Sequence, residues 1–311
     1  EKIEVESTEI IDSINPMTWL KVSKRIKSYN PDLVILYWWT PYFTFNFLTI
    51  TALIKRNTNA KILFLCHNVA PHDARFIDKM LTKQALKHSD YFIVHASEEK
   101  NRLVEMFPNK KVVQHVHPVY DVFKEKFIKE NLDLNLRTKV ILFFGFIRKY
   151  KGLKYLLRAM PELIEKYPDL DLLIVGEFWD DGKEDREEIE KSPVKDHIKL
   201  VDYYVPNEKV GNYFEACDIS VLPYVSATNS GIIQTSFGFE KPVIVTSVGG
   251  LPEVVTHDKT GLIIKPEDSN SIIEAISNFY DNNKANEYKN NIILEKDRFS
   301  WEKLVNVIED L

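Results

Sequence analysis

Short, nearly unbroken apolar runs alternate along the chain with longer stretches in which apolar residues recur every three or four positions. The first pattern predicts buried parallel strands and the second amphipathic helices. In the first half the predicted strands are "PDLVILYWW" (31–39), "AKILFLCHN" (60–68), "DYFIVHAS" (90–97) and "KKVVQHVHPVYD" (110–121). Helical spacing marks "TWLKVSKRIKSY", with Trp19, Val22 and Ile26 on one face, then "DARFIDKMLTKQALKHS" with Asp73 as N-cap, then "EEKNRLVEMF". In the second half, strands are predicted at "KVILFFGF", "LDLLIVGEF", "HIKLVDYY", "DISVLPY", "KPVIVTS" and "GLIIKP". Between and after them come the helices "LKYLLRAMPELIEKY", "NEKVGNYFEAC", "IIQTSFGFE", "DSNSIIEAISNFYDNN" and "SWEKLVNVIEDL".

Strand–helix alternation implies an α/β fold with parallel sheets and right-handed crossovers. Two such series predict two Rossmann-like domains facing each other, each sheet with helices on both faces. The expected division is a first domain over 1–122, a charged, glycine-free linker over 123–138, a second domain over 139–296, and a C-terminal helix over 297–311 packing back on the first domain.

Composition narrows the classes. The chain has 311 residues, a net charge of −5 and two cysteines, Cys66 and Cys217, far apart. An acidic balance gives no electrostatic case for nucleic acid. The cysteines suit a reducing compartment, as small buried side chains. The charged opening "EKIEVESTEI" does not read as a signal peptide. "LYWWTPYFTFNFLTITALI" (36–54) reaches membrane-spanning length, but Pro41 and several Thr and Asn interrupt it, which predicts a buried strand, a loop and a buried helix. A membrane-facing patch is the minority reading. There are ten glycines, none before Gly145, so the first half holds no glycine-rich phosphate loop.

Ligands of open parallel sheets bind beyond the carboxyl ends of the strands. After "VILFF" comes "GFIRKYKG", where Gly145 turns the chain and Arg148, Lys149 and Lys151 stand at the mouth of a helix. That arrangement predicts an anion site, most simply a phosphate. Gly176 and Glu177 follow the next strand, with Glu177 equally placed to start a helix. "SATNSG" follows "DISVLPY"; the amides of Ser230, Gly231 and Ile232 are candidates for a second phosphate, and Asn229, Gln234 and Thr235 for sugar or ribose hydroxyls. Gly249 and Gly250 are predicted to form a positive-φ turn before Pro252 and Glu253.

Taken in order, "FFGFIRKYKG", "LLIVGEFW", "ACDISVLPY", "SGIIQTSFGFEKPVIVTSVGGLPEVV" and "TGLIIKP" resemble the donor-binding half of a family 4 (group 1) glycosyltransferase of the GT-B fold. "WWTPYF" and "CHNVAPHD" resemble the acceptor domain of one branch. The resemblance implies transfer of a sugar from a nucleotide-diphosphate sugar to a glycan or lipid-linked acceptor, usually with retention and with no metal or other cofactor. Arg148 and Lys151 would hold the donor diphosphate and stabilise the leaving group. Ser230 and Gly231 amides would assist, Gly249 and Gly250 would pass close to the donor, and His67 would contact the sugar; His72 is a weaker candidate. A cytoplasmic setting follows, with peripheral contact at the inner membrane face if the acceptor is lipid-linked. Three departures stand out. Two glutamates of the family fall at Ala227 and Thr235; Phe146, not Arg, follows Gly145; and the family's first strand with its glycine loop is expected to be missing. Two competing readings are a catalytically silent nucleotide-sugar-binding module and a nucleotide-sugar epimerase on the same fold.

Overall fold

The computed structural model describes residues 7–69, 76–120, 122–125 and 127–311. His72 and Asp73 lie outside the described residues. The chain divides into two compact units, one reaching to His115 and one running from Val116 to Asp310. The stretch 127–138 falls within the second.

The first unit runs α1 (Pro16–Tyr29), β1 (Leu33–Trp38), α2 (Thr44–Asn57), β2 (Lys61–Cys66), α3 (Phe76–Leu86), β3 (Tyr91–Val94), α4 (Ser97–Met106) and β4 (Lys111–Gln114). Asn15 caps α1 by accepting from the Met17 amide, and Pro16 opens the helix where no amide donor is needed. The sheet order is β1-β2-β3-β4, every neighbouring pair parallel. Alternate side chains, Trp38, Ile62, Phe64, Phe92 and Val94, form one core with Trp19, Ile50, Ile54, Leu86 and Leu103 of the helices. Each such side chain gains about 1.5–3 kcal/mol by leaving water. The apolar stretch 36–54 is the end of β1, a 3₁₀ turn at Pro41–Phe43 capped by Thr40, and α2. Among the described residues no helix is long and apolar enough to cross a membrane.

The second unit opens with a short helix α5 (Val122–Glu125), then β5 (Lys139–Phe144), α6 (Leu153–Lys166), β6 (Leu170–Val175), α7 (Lys183–Lys191), β7 (Ile198–Val201), α8 (Val210–Ala216) and β8 (Ile219–Leu222). It continues with α9 (Gly231–Gly238), β9 (Val243–Thr246), α10 (Leu251–Val254), β10 (Gly261–Ile264), α11 (Ser269–Asp281), α12 (Ala285–Glu295) and α13 (Trp301–Glu309). All six strands are parallel, in the order β10-β9-β8-β5-β6-β7. From β5 the chain winds outward through β6 and β7. It then returns to β8 and winds the other way. Such a reversal leaves a crevice between β5 and β8 at their carboxyl ends. Cores on the two faces hold the sheet, one packed with α6 and α11, the other with α8 and α9. Helices α7 and α12 were not predicted from the sequence. Both cysteines are buried and free; burial pushes the Cys217 thiol up to about 12.

Candidate functional site

The loops leaving β5 and β8 border the crevice of the second unit. After β5 the chain bends at Gly145 (φ +93°) and then pairs with β6's continuation again: Ile147 N–H donates to Glu177 O (2.9 Å) and Trp179 N–H to Ile147 O (3.0 Å). Ile147 and Phe178 turn into the core. A 3₁₀ turn at Lys149–Lys151 follows, and Val225 N–H donates to Tyr150 O (2.7 Å), tying this turn to the loop after β8.

Lys151 is only 7% exposed, and it makes no ion pair among the described residues. Its ammonium lies near Gly145 and Ile232, since a Cβ at Gly145 would sit 3.1 Å from Nζ and 3.3 Å from Ile232 Cδ1. It stands 5.7 Å from the centre of the Tyr224 ring. Burial, helped by the Arg148 charge, lowers its pKa to about 8. Arg148 also lacks a carboxylate partner among the described residues, and its buried Nε has no hydrogen-bond partner. Two cations thus stand close enough to repel each other, and neither is ion-paired among the described residues. Such a pocket favours an anion with several oxygens.

Ser230 caps α9, its Oγ accepting from Ile232 N–H (3.3 Å) and meeting Tyr224 OH at 3.2 Å. The Ile232 amide is therefore engaged by the cap, while the Ser230 and Gly231 amides make no hydrogen bond among the described residues. Asn229 Nδ2 is buried without a partner. Gln234 and Thr235 are both 3% exposed; Thr235 Oγ1 donates to Gly231 O (2.9 Å). Ala227 is 6% exposed beneath the loop. Of the expected glycine pair, only Gly249 has positive φ (+50°); Gly250 takes φ −83° and its N–H donates to Thr228 O (2.8 Å). Gly249 is forced by crowding as well, because a Cβ there would fall 1.7 Å from Ala227 O. Gly176 follows β6 and donates to Val201 O (2.9 Å). Glu177 is exposed on extended chain and does not start a helix, since α7 begins at Lys183.

His67 belongs to the other unit. The register Trp38↔Cys66↔Val94↔Gln114 sets the next residues, Trp39, His67, His95 and His115, along the carboxyl edge of that sheet. The half-buried His67 ring stacks on Tyr37 and Trp39, with centroids 5.9 and 6.0 Å away. His95 lies 5.3 Å from it. The His95 Nδ1 donates to His115 O (2.8 Å). Two buried groups hold the turn after His67: Trp38 Nε1 donates to Val69 O (3.1 Å), and the Glu99 carboxylate accepts from Val69 N–H while pairing with Arg102 (3.0 Å). Burial raises the Glu99 pKa.

Sequence reasoning missed three residues at these sites. Trp179 lies under the Arg148 guanidinium, whose Cζ is 3.8 Å from the ring centre. Tyr120 covers the start of α9, with Cε2 3.0 Å from where a Cβ at Gly231 would be. Its hydroxyl meets His117 Nε2 at 3.3 Å, and His117 Nδ1 donates to Pro118 O (2.8 Å). Glu99 is the third. The contacts that bring them to the sites, Trp179 to Arg148, Tyr120 to Gly231 and Glu99 to Val69, all join residues far apart in the chain.

A family model for glycosyl transferases group 1 matches residues 138–282. A D-inositol 3-phosphate glycosyltransferase of Corynebacterium diphtheriae is 26% identical over 253 residues, covering 75% of this chain and 58% of that protein. Its counterpart in Corynebacterium jeikeium is 28% identical over 214 residues, covering 64% and 51%. The chain therefore spans a little over half the length of these curated relatives. Among solved structures, Anabaena HepE in complex with UDP is similar with a TM-score of 0.75 at 13% identity, covering 95% of this chain and 82% of that one. A glycosyltransferase from Rickettsia africae gives 0.72 at 20% identity, covering 99% and 84%. Residues 138–282 thus match the group 1 glycosyltransferase family model, and the fold is GT-B.

Proposed function

We propose that this protein transfers a sugar from a nucleotide-diphosphate sugar to a glycan or lipid-linked acceptor, with retention and without a metal ion. The observation that carries the reading is the pair of cations, Arg148 and Lys151, neither ion-paired among the described residues, in the domain that the group 1 family model matches. Bond cleavage at the anomeric carbon leaves negative charge on the departing nucleoside diphosphate. Fixed cations stabilise that charge more in the transition state than in the bound donor, which is what accelerates the step. The Ser230 and Gly231 amides add donors at the start of α9, and Asn229 and Gln234 are the proposed contacts to donor hydroxyls. The UDP in the HepE structure and the UDP-glucose in a second HepE structure support a nucleotide-sugar donor here.

His67 is proposed to act on the transferred sugar, by donating to a hydroxyl or steadying developing charge. A lipid-linked acceptor is supported by exposed apolar side chains at the 3₁₀ turn and at the starts of α2 and α3: Tyr42, Phe45, Phe76, Ile77 and Met80, with Lys79 and Lys83 exposed beside them. A surface of that kind suits the interface of an anionic bilayer.

The test is release of nucleoside diphosphate from UDP-, GDP- and ADP-sugars in the presence of a chelator. Release from one donor class, persisting in chelator and reduced by Arg148→Ala, is the expected result. Release that requires a divalent cation would remove the proposed role of the two side-chain cations. Tight donor binding with no release would favour the silent binding module. His67→Ala is expected to lower transfer more than donor affinity; an equal loss of both would assign it a structural role.

A further inference from the structure

Arg148 differs from the paired arginines of the chain. Arg102, Arg137, Arg158, Arg186 and Arg298 each have a carboxylate partner. Arg148 has an indole instead, with Cζ 3.8 Å from the Trp179 ring centre. The backbone explains how they meet. Ile147 and Phe178 bridge β5 to β6 and point into the core, so their neighbours Arg148 and Trp179 project from the opposite face. The indole is itself braced, with Phe146 edge-on at 5.6 Å. Yet Trp179 is 63% exposed, so packing alone gives little reason for it.

A guanidinium stacked on a ring keeps all its N–H edges available, whereas one paired to a carboxylate does not. Stacking also fixes the plane in which those edges lie. The Nε is buried and makes no hydrogen bond among the described residues, so no protein acceptor competes for the guanidinium there. We propose that Trp179 is a positioning residue that holds the Arg148 guanidinium in the plane in which it grips the donor diphosphate. The proposal rests on the donor-site reading above. It also accounts for the departure noted in the sequence: Arg148 stands three residues beyond Gly145, and the ring supplies the orientation that a place beside the glycine turn would otherwise give.

The experiment is calorimetric titration of the full chain with two probes, inorganic pyrophosphate and the nucleoside diphosphate that binds, without added metal. Trp179→Ala should weaken pyrophosphate binding about tenfold, the size of a well-formed cation–π contact. It should leave Tm unchanged, because little buried area is lost. Trp179→Phe should restore most of the affinity. In an Arg148→Ala background, Trp179→Ala should change nothing further. Full additivity of the two substitutions, or unchanged pyrophosphate affinity in Trp179→Ala, would overturn the proposal. A loss seen only with the nucleoside diphosphate would also overturn it, assigning the indole to the base. If Arg148→Ala itself leaves pyrophosphate binding intact, the donor-site reading fails and this proposal falls with it.

Discussion

Lys151 is a cation that its own surroundings disfavour. Burial and the neighbouring Arg148 bring its pKa to about 8, against about 10.4 in an unfolded chain. The sign follows from proton counting. Between those values the unfolded state binds more protons than the folded one, so stability rises with pH across that window. Below about 8 both states are charged and the full penalty stands. Lys151→Met should therefore raise Tm at pH 7, by about 2–4 °C for each kcal/mol recovered. The gap from wild type should close as pH rises toward 10.4. Thermal melts over pH 6–10.5 would show it, and a lowered Tm at pH 7 would contradict the assignment. The same substitution should weaken diphosphate binding by about 1.5–3 kcal/mol, the size of a charge-assisted bond. In the wild type, diphosphate affinity should fall above pH 8, where binding must take up a proton. A side chain that costs stability and supports binding is the expected mark of a functional site.

At the level of elements, the turns that shape the site are held by close backbone contacts. Gly249 is the sharpest case: its φ is +50° and its α-carbon faces Ala227 O. Gly249→Ala should cost more than about 2 kcal/mol, from left-handed strain and the clash together. Chemical denaturation would measure it, and a loss under 0.5 kcal/mol would mean the turn adjusts freely. The strands were legible because each is a compact apolar run between turn residues. The longer helices α7 and α12 were not, for a simple reason. In α7, "KEDREEIEK", only Ile189 is buried, and in α12 only Tyr288 and Ile292 are. One or two apolar positions give no stripe to read. The glycine pair at 249–250 forms the expected positive-φ turn, but residue composition does not say which of the two takes the positive φ.

Across the whole molecule, the second half of the chain is the more fully specified. Its glycine turns and basic loop point to the switch point between β5 and β8, where the structure places them. The stretch expected to be a linker is hydrogen-bonded to the second unit. Asn212 on α8 holds Ile128 O and Glu130 N–H at 3.0 and 2.8 Å, and the fully buried Asp171 of β6 holds Arg137 through both its backbone N–H (2.8 Å) and its guanidinium (2.6 Å). No local pattern announces such contacts, since the partners lie 34 and more positions apart. The site was legible to the same extent. Arg148 and Lys151 could be read from a strand, a turn and a helix mouth, but the indole under Arg148 could not. The account stands or falls on whether those two cations hold a diphosphate. The most direct measurement is calorimetric binding of UDP, GDP and ADP to the wild-type chain in chelator, repeated on Arg148→Ala. Tight binding of one diphosphate, weakened by about 1.5–3 kcal/mol in the variant, is the predicted result; a diphosphate bound equally well by both proteins would contradict it.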